Sequence, residues 1–567
     1  MSFFQPIEAD VRSRHSRWGS TLLIILVAVV AMGPELATGL TVSDSYRFNL
    51  LWPEQFGELF RSGDLYPRWL PKSWEGMGSP VFYFYPPLFF WVAALVDTVF
   101  AGALPPEKFV PLASLIVLVA SGLGMRAWLG AHASERRASL GAIAYMIAPY
   151  HLYDIYGRGA LAEATAYASI PLVMLGLAKL GENRTRFLPL LALGYGALLF
   201  SHLPTALLAS LFLIPPYVAF IAARSARRTR FVSLALAGGL LGIALAAVYL
   251  LPALALLRYV SPAALSGSFY QPESWFYWHL QVGPVGGPRM FLIIPASLAA
   301  LLFAAANVRS TRSLRPHSEL LFWAGLTALL VLLIAGAVPF VWKLPGLSLV
   351  QFPWRALVLV EFTTVTMLAI WVPSLRNFAT AAGLLFLAFA YWVLLMMAGH
   401  TLGRTLSGQV RTAAEIRSKY WDAPEYLPAG TRIVQGDGPE GVKFDVPMMP
   451  VASTTEPNAR IAVSSAKDGG MTLDVNSPSP TVLTLRRYYF PSWRALDATG
   501  ALLPIGPAPR TRVVWLRAPA GHSVIRLTAG TTPYETEGRS VSIFALLSLT
   551  AFAAMSRRTR RPKLARL

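Results

Sequence analysis

The groups in this chain that could do chemistry are carboxylates and arginines gathered near the ends of long apolar runs. Asp44 and Arg47 stand in Thr41-Val-Ser-Asp-Ser-Tyr-Arg47, just beyond the first such run, and Asp64 and Arg68 stand in Gly63-Asp-Leu-Tyr-Pro-Arg68-Trp. Asp154, Arg158 and Glu163 share the stretch from Pro149 to Glu163, His202 ends another run, and Arg355 closes Gln351-Phe-Pro-Trp-Arg355. A carboxylate at the exit of a helix can take a proton from an acceptor hydroxyl, while arginines stabilise a departing phosphate. Each residue also has a structural reading. Asp44 would be a solvated helix-end residue, Arg158 would pair with Asp154 or Glu163, and Arg355 would snorkel to the membrane interface.

Chemistries that need other groups are disfavoured. With no cysteine, disulfides, thiolate-bound zinc, iron–sulfur clusters and thiol nucleophiles are out. The eight histidines never fall in His-x-His or His-Glu-x-x-His, so a three-histidine zinc site is not expected. Neither a Gly-x-x-x-x-Gly-Lys-Ser/Thr loop nor a Gly-x-Gly-x-x-Gly after a strand is present, which argues against an ATP-driven pump.

What must position these residues is a membrane domain. Only 14% of the 567 residues are charged and 55% are hydrophobic, whereas a soluble chain carries about 25% charged residues. Runs long enough to cross a bilayer lie at 21–32, 83–103, 109–125, 138–154, 161–178, 187–201, 203–223, 231–256, 288–307, 320–342, 356–373, 378–398 and 541–555. Every second connector is basic. Together with the N-terminal arginines and the tail these inner segments carry 23 basic residues against five acidic ones, a net +18 of the chain's +20. The excess charge is therefore topological, it places both termini in the cytoplasm, and it leaves a nucleic-acid reading without support. Thirteen runs is an odd number, which two inside termini forbid. The conflict falls on residues 83–108, where Tyr83-Phe-Tyr-Pro-Pro-Leu-Phe-Phe-Trp91 is broken by proline, so this stretch is expected to be re-entrant or split, or a neighbouring run not to cross.

The chain divides into a transmembrane part, 1–398, with an outer loop at 38–82, an extramembrane domain at 399–538, and a last helix with a basic tail at 539–567. In the outer domain Met471–Val475, Thr481–Leu485, Arg512–Leu516 and His522–Leu527 alternate apolar with polar residues between turn signals, which predicts a small antiparallel sheet or sandwich. Trp421 and Trp493 sit in aromatic runs, Lys419–Pro428 and Tyr488–Trp493, that could stack on a saccharide, although such residues more often form core or dock a domain onto the membrane interface.

Asp44 after the first run, Gly63-Asp-Leu-Tyr-Pro-Arg68-Trp, Tyr85-Pro-Pro-Leu, Pro149-Tyr150 with Arg158 and Glu163, Gln351-Phe-Pro-Trp-Arg355 and the C-terminal sheet resemble the bacterial polytopic proteins described as "6-pyruvoyl-tetrahydropterin synthase-related". Those in turn resemble type C glycosyltransferases. The resemblance implies an all-α polytopic membrane domain of about 12 to 14 spans with a small β-rich periplasmic domain before the last helix, in the bacterial inner membrane. It implies sugar transfer, with inversion, from a polyprenyl-phosphate donor to a saccharide, lipid or protein acceptor, and no cofactor other than a divalent cation whose ligands are not assigned. Asp44 is the expected base, with Asp64 and Asp154 next in line. Arg47, Arg68, Arg158, Glu163, His202, Arg355, Trp421 and Trp493 are the expected substrate-binding residues. Where type C enzymes often pair two acids in the first loop, Asp44 lies between Ser43 and Ser45. The rival class is a transporter or flippase for envelope saccharides, or an assembly protein. Transport ranks second because the runs are nearly charge-free and show no repeat.

Reporter fusions after Gly63 and after Gly438 are expected to score as external. A cytoplasmic signal at either would overturn both the topology and the site drawn from it.

Overall fold

In the computed structural model, the residues described are 13–261, 265, 267–276, 317–371, 413–419, 421–431, 433–434, 443–444 and 449–558. Among them, eight helices are long and apolar enough to cross a membrane: Trp18–Thr38, Pro106–Leu129, Leu161–Gly181, Leu203–Ala222, Arg228–Leu245, Ser318–Ala335, Pro353–Trp371 and Pro533–Ser556. Three shorter apolar helices accompany them, Leu88–Val99, Thr185–Ser201 and Ala247–Tyr259. The expected runs at 288–307 and 378–398 lie outside the described residues.

Proline breaks two of the expected runs, and the 231–256 run divides at Ala246 into Arg228–Leu245 and Ala247–Leu256. The 83–103 run is split into Val81–Phe84 and Leu88–Val99 by an extended Tyr85 ahead of Pro86 and Pro87, since the residue before proline is driven out of the helical region. The 138–154 run, expected as one span, is instead Glu135–Met146 followed by Pro149–Tyr156, with Ala148 extended before Pro149. A helix of twelve residues is about 18 Å long, well short of a hydrocarbon core of about 30 Å.

Leu161–Gly181 and Pro353–Trp371 form the centre of the bundle, with about nine-tenths of each apolar stretch covered by neighbours, whereas Arg228–Leu245 and Pro533–Ser556 are largely exposed. A helix apolar on every side belongs in such an interior position. Glycines permit the close packing around it. A side chain at Gly176 would meet the backbone of Leu191, and one at Gly194 the backbone of Val173.

The alternating stretches form two antiparallel sheets. One has the order Ala452–Thr454, Thr481–Tyr488, Val513–Ala518, Ile505–Pro507, and the other Arg460–Ser465, Met471–Ser477, Gly521–Ala529, Trp493–Leu496, Leu502–Leu503. Their inward residues, among them Leu473, Val475, Leu483, Leu485, Leu516 and Ile525, share a core with Trp69, Trp74, Met77 and Tyr83 of the 38–82 segment and its continuation. Arg487 donates to the carbonyls of Pro71 (3.1 Å) and Gly76 (2.7 Å), and the Tyr488 amide donates to that of Met77 (2.9 Å). The 38–82 segment is thus a structural partner of the sheets.

Arg68, expected to bind substrate, ties this loop to the last helix and to the helix Ala247–Tyr259. Its Nε lies 3.2 Å from Glu535 Oε1, its Nη2 donates to the Val248 carbonyl at 2.7 Å, and its guanidinium lies over the Tyr66 ring at 3.8 Å. Glu535 meanwhile closes a capping box at the start of the last helix, accepting from the Thr532 amide (2.7 Å) and hydroxyl (2.8 Å). Arg68→Ala would leave that carboxylate buried beside an empty space, and breaking such a pair costs about 3–5 kcal/mol. The expected result is a clear loss of thermal stability of the purified protein. An unchanged melting temperature would return Arg68 to the list of substrate-binding residues.

Candidate active site

Five of the expected site residues converge at one place. The chain leaves the helix Pro149–Tyr156 at Gly157, turns at Gly159 with φ +65°, and enters the helix that begins at Leu161. Tyr150, Asp154 and Arg158 recur at four-residue spacing and so lie along one side of this element, while Glu163 falls in the first turn of the next helix, where a carboxylate is favoured. Arg158 Nη1 reaches the Tyr150 hydroxyl (2.6 Å), Asp154 Oδ1 (2.6 Å) and Glu163 Oε2 (2.8 Å), and the Tyr150 hydroxyl donates to Glu163 Oε1 (2.9 Å).

Two more segments close on the same glutamate. Arg355 Nε is 3.6 Å from Glu163 Oε2, while its Nη1 donates to the Val350 carbonyl at 2.6 Å and approaches Gln351 Oε1 at 3.3 Å. His202, extended between two helices, places Nε2 3.9 Å from Glu163 Oε2 and shares a hydrogen bond between Nδ1 and Thr205 Oγ1 at 2.8 Å. Asp154 and Glu163 side chains are 0% exposed, whereas those of Arg158 and Arg355 keep 12% and 13%. The carboxylates are therefore fully enclosed, and the exposure that the cluster keeps belongs to the two arginine side chains. Such an arrangement suits an anion, because a guanidinium presents forked donors to oxygen atoms.

The segment after the first helix is stitched to the same turn. The Asp44 amide donates to the Gly157 carbonyl (3.0 Å), the Ser45 amide to that of Arg158 (2.9 Å), and Asn49 Nδ2 to that of Gly159 (2.8 Å). Asp44 itself is exposed, and the Arg47 guanidinium lies 4.6 Å from the Phe48 ring centroid.

The remaining expected residues lie apart from this cluster. Asp64 accepts from the Tyr66 amide at 3.0 Å in a tight turn, and its charged neighbours are Arg68, Glu535 and Asp468. Trp493 is 1% exposed and packs edge-on against Trp69 with ring centroids 5.2 Å apart, so its place is the core of the outer unit and not a stacking surface. Trp421 is half-buried at the margin of that core.

Sequence reasoning missed three carboxylates. Asp422 is buried and accepts from Trp52 Nε1 (2.8 Å) and the Ala423 amide (2.7 Å), tying the outer domain to the helix Tyr46–Arg61. Burial pushes the Glu425 carboxyl from 4.5 up to about 7; the neighbouring Asp422 adds to the shift, and Glu425's own backbone and Arg47 oppose it. The third is Glu361, which accepts from the backbone of Pro149–Tyr156. A lone acid inside the 356–373 run was the available signal for it, since ionisable groups within spans are functional by default. Among the described residues no group of three or more His, Asp or Glu side chains is placed to hold a metal ion.

No protein-family model matches the chain, and no curated protein matches it. The resemblance to the pterin-synthase-related proteins thus stands on the quoted motifs alone. Among solved structures the chain is similar to the arabinofuranosyltransferase AftD from Mycobacteria, at 16% identity and a TM-score of 0.39 over 70% of this chain and 27% of that one. It is also similar to the archaeal oligosaccharyltransferase AglB from Archaeoglobus fulgidus, solved with an inhibitory peptide and a dolichol-phosphate, at 12% identity and a TM-score of 0.36 over 73% and 56%. A third is ArnT from Cupriavidus metallidurans bound to undecaprenyl phosphate, at 14% and 0.29 over 62% and 77%. The chain spans about a quarter of AftD and about half of AglB. All three likenesses fall below the level that establishes a shared fold.

Gly159 makes a local test of the site. A Cβ there would run into Ser43 Oγ and stand 2.6 Å from Asn49 Nδ2, at a φ that L side chains rarely adopt. Gly159→Ala should destabilise the protein by roughly 1–3 kcal/mol through overpacking and strain. Proteolysis should become faster between the first helix and residue 163. A protein of unchanged stability and cleavage pattern would show that the two segments do not meet as described.

Proposed function

We propose that the protein transfers a sugar from a polyprenyl-phosphate donor to an envelope acceptor at the outer face of the cytoplasmic membrane. The observation that carries this reading is the convergence of Arg158 and Arg355, nearly two hundred residues apart, on one buried glutamate, with 12% and 13% of their side chains exposed. Asp44 is attached through its backbone to the turn that carries Arg158. A phosphate needs cationic forks, and a lipid-linked donor brings its own leaving group, so no nucleotide site is required.

In the proposed reaction the Asp44 carboxylate takes the proton of the acceptor hydroxyl, and that oxygen attacks C1 of the sugar. The bond from C1 to the phosphate oxygen breaks with its electron pair staying on the phosphate, whose negative charge Arg158 and Arg355 receive. Attack opposite the leaving group inverts the anomeric centre. Asp154 and Glu163, fully enclosed, hold the arginines. Glu425, with its raised carboxyl, is a second carboxylate able to accept a proton near neutral pH.

Purified full-length protein should transfer sugar from a defined polyprenyl-phosphate donor. Asp44→Asn should cut turnover by roughly a hundredfold or more, the scale of a general base. Arg158→Lys and Arg355→Lys keep the charge and lose the fork, so each should raise the donor KM by about tenfold. Transfer by a well-folded Asp44→Asn protein at near wild-type rate would move the base to Glu425 or Asp154, and unchanged donor KM in both lysine variants would sink the phosphate clamp.

A further inference from the structure

The helix Pro149–Tyr156 has no side-chain cap of its own. Helix N-termini leave amides unsatisfied, and here they are satisfied from elsewhere. Glu361, 4% exposed on the central helix, receives the Tyr150 amide on Oε1 at 2.6 Å and the His151 amide on Oε2 at 3.3 Å. The same Oε2 accepts the Tyr167 hydroxyl at 2.7 Å, and the Tyr167 ring stacks on His151 at 3.7 Å with 6° between planes. Among the described residues the partners of this carboxylate are N–H and O–H donors only.

What this joint connects gives it a consequence. Tyr150 is held by its amide to Glu361, and its hydroxyl enters the cluster to meet Arg158 and Glu163. Arg355 stands six residues before Glu361, on the turn leading into the same helix. One carboxylate thus fixes the segment that bears Arg158 against the segment that bears Arg355.

We propose that Glu361 is a positioning residue that sets the separation of the two arginine forks by capping, from the helix that Arg355 leads into, the helix that leads into the Arg158 turn. The proposal rests on the reading of those arginines as the donor-phosphate clamp. Its geometric part, the joint itself, stands independently. A glutamine offers one acceptor where glutamate offers two, and its amide group faces an N–H it cannot receive. One helix amide then loses its partner, and the loss falls on this helix end.

The test uses the full-length protein and two readouts. In Glu361→Gln, hydrogen exchange at amides 150–160 should quicken by about tenfold with exchange elsewhere unchanged, the scale of one lost buried hydrogen bond. The donor KM should rise by about tenfold with kcat within threefold, because the clamp and not the base is displaced. Tyr167→Phe removes only the third hydrogen bond and should move both readouts in the same direction by about threefold. It carries the test alone if Glu361→Gln does not fold. Unchanged exchange in that region overturns the joint. Exchange that quickens throughout the protein, or locally without any change in KM, overturns the positioning role. If wild-type protein transfers no sugar and binds no short-chain polyprenyl phosphate, the functional reading fails, and the joint is then judged on exchange alone.

Discussion

A carboxylate wholly removed from water inside a membrane protein must be neutralised by its surroundings, since an uncompensated charge there is worth many kcal/mol of penalty. Around Glu163 that requirement gathers four parts of the chain. Arg158 and Tyr150 arrive from the preceding helix, His202 from a break between two helices, and Arg355 from a turn before the central helix. Each has other polar partners, and those partners in turn fix the backbone: Arg355 holds the Val350 carbonyl, Arg158 holds Asp154, and the carbonyl of Arg158 holds Ser45. The course of the chain around the cluster follows from satisfying one buried charge.

The same constraint explains the broken helices. A proline-interrupted segment has free amides and carbonyls that lipid cannot satisfy, so it must lie against protein. Pro149–Tyr156 does so by lending its amides to Glu361, and the stretch around Tyr85 by packing its ring against Trp52 at 4.9 Å between centroids. The Phe84 carbonyl in turn accepts from the Tyr249 hydroxyl at 2.6 Å. Discontinuity of the helices and polarity of the site have one cause. Broken helices expose main-chain groups where polar side chains can be used.

Much of the site was legible in the sequence, because four-residue spacing of Asp154 and Arg158, with Glu163 a turn away, is visible without coordinates. That Arg355 and His202 would join them could be inferred only as a common membrane face. Glu361 was illegible as a partner because its role depends on the amides of a helix 211 residues away, and no side-chain pattern signals a helix whose cap is imported. Arg68 and Trp493 were assigned to substrate by composition. An arginine among aromatics looks alike whether it meets a ligand or the cap of the last helix, and a tryptophan beside proline and charge looks alike in a core or on a surface. The strands were readable from alternation, whereas the run 138–154 was misread as one span because apolarity outweighed Pro149.

The β-rich unit and the first loop show how the site is kept in register with the sheets. Trp69 and Trp74 are core residues of the sheets although they precede them by some four hundred positions, and Trp52, on the helix that follows Asp44, is bonded to Asp422 of the outer domain. Arg417 adds a bridge from that domain to Glu54 at 2.8 Å and to Glu107 at 3.1 Å. The helix Tyr46–Arg61 is therefore held from above by Asp422 and Arg417, while the segment before it is held by the turn at 157–159. In this architecture Asp44 lies between two anchors, joined to the β-rich unit through the helix Tyr46–Arg61 and to the Arg158 turn through its own backbone, so one short segment links the sheets to the cluster.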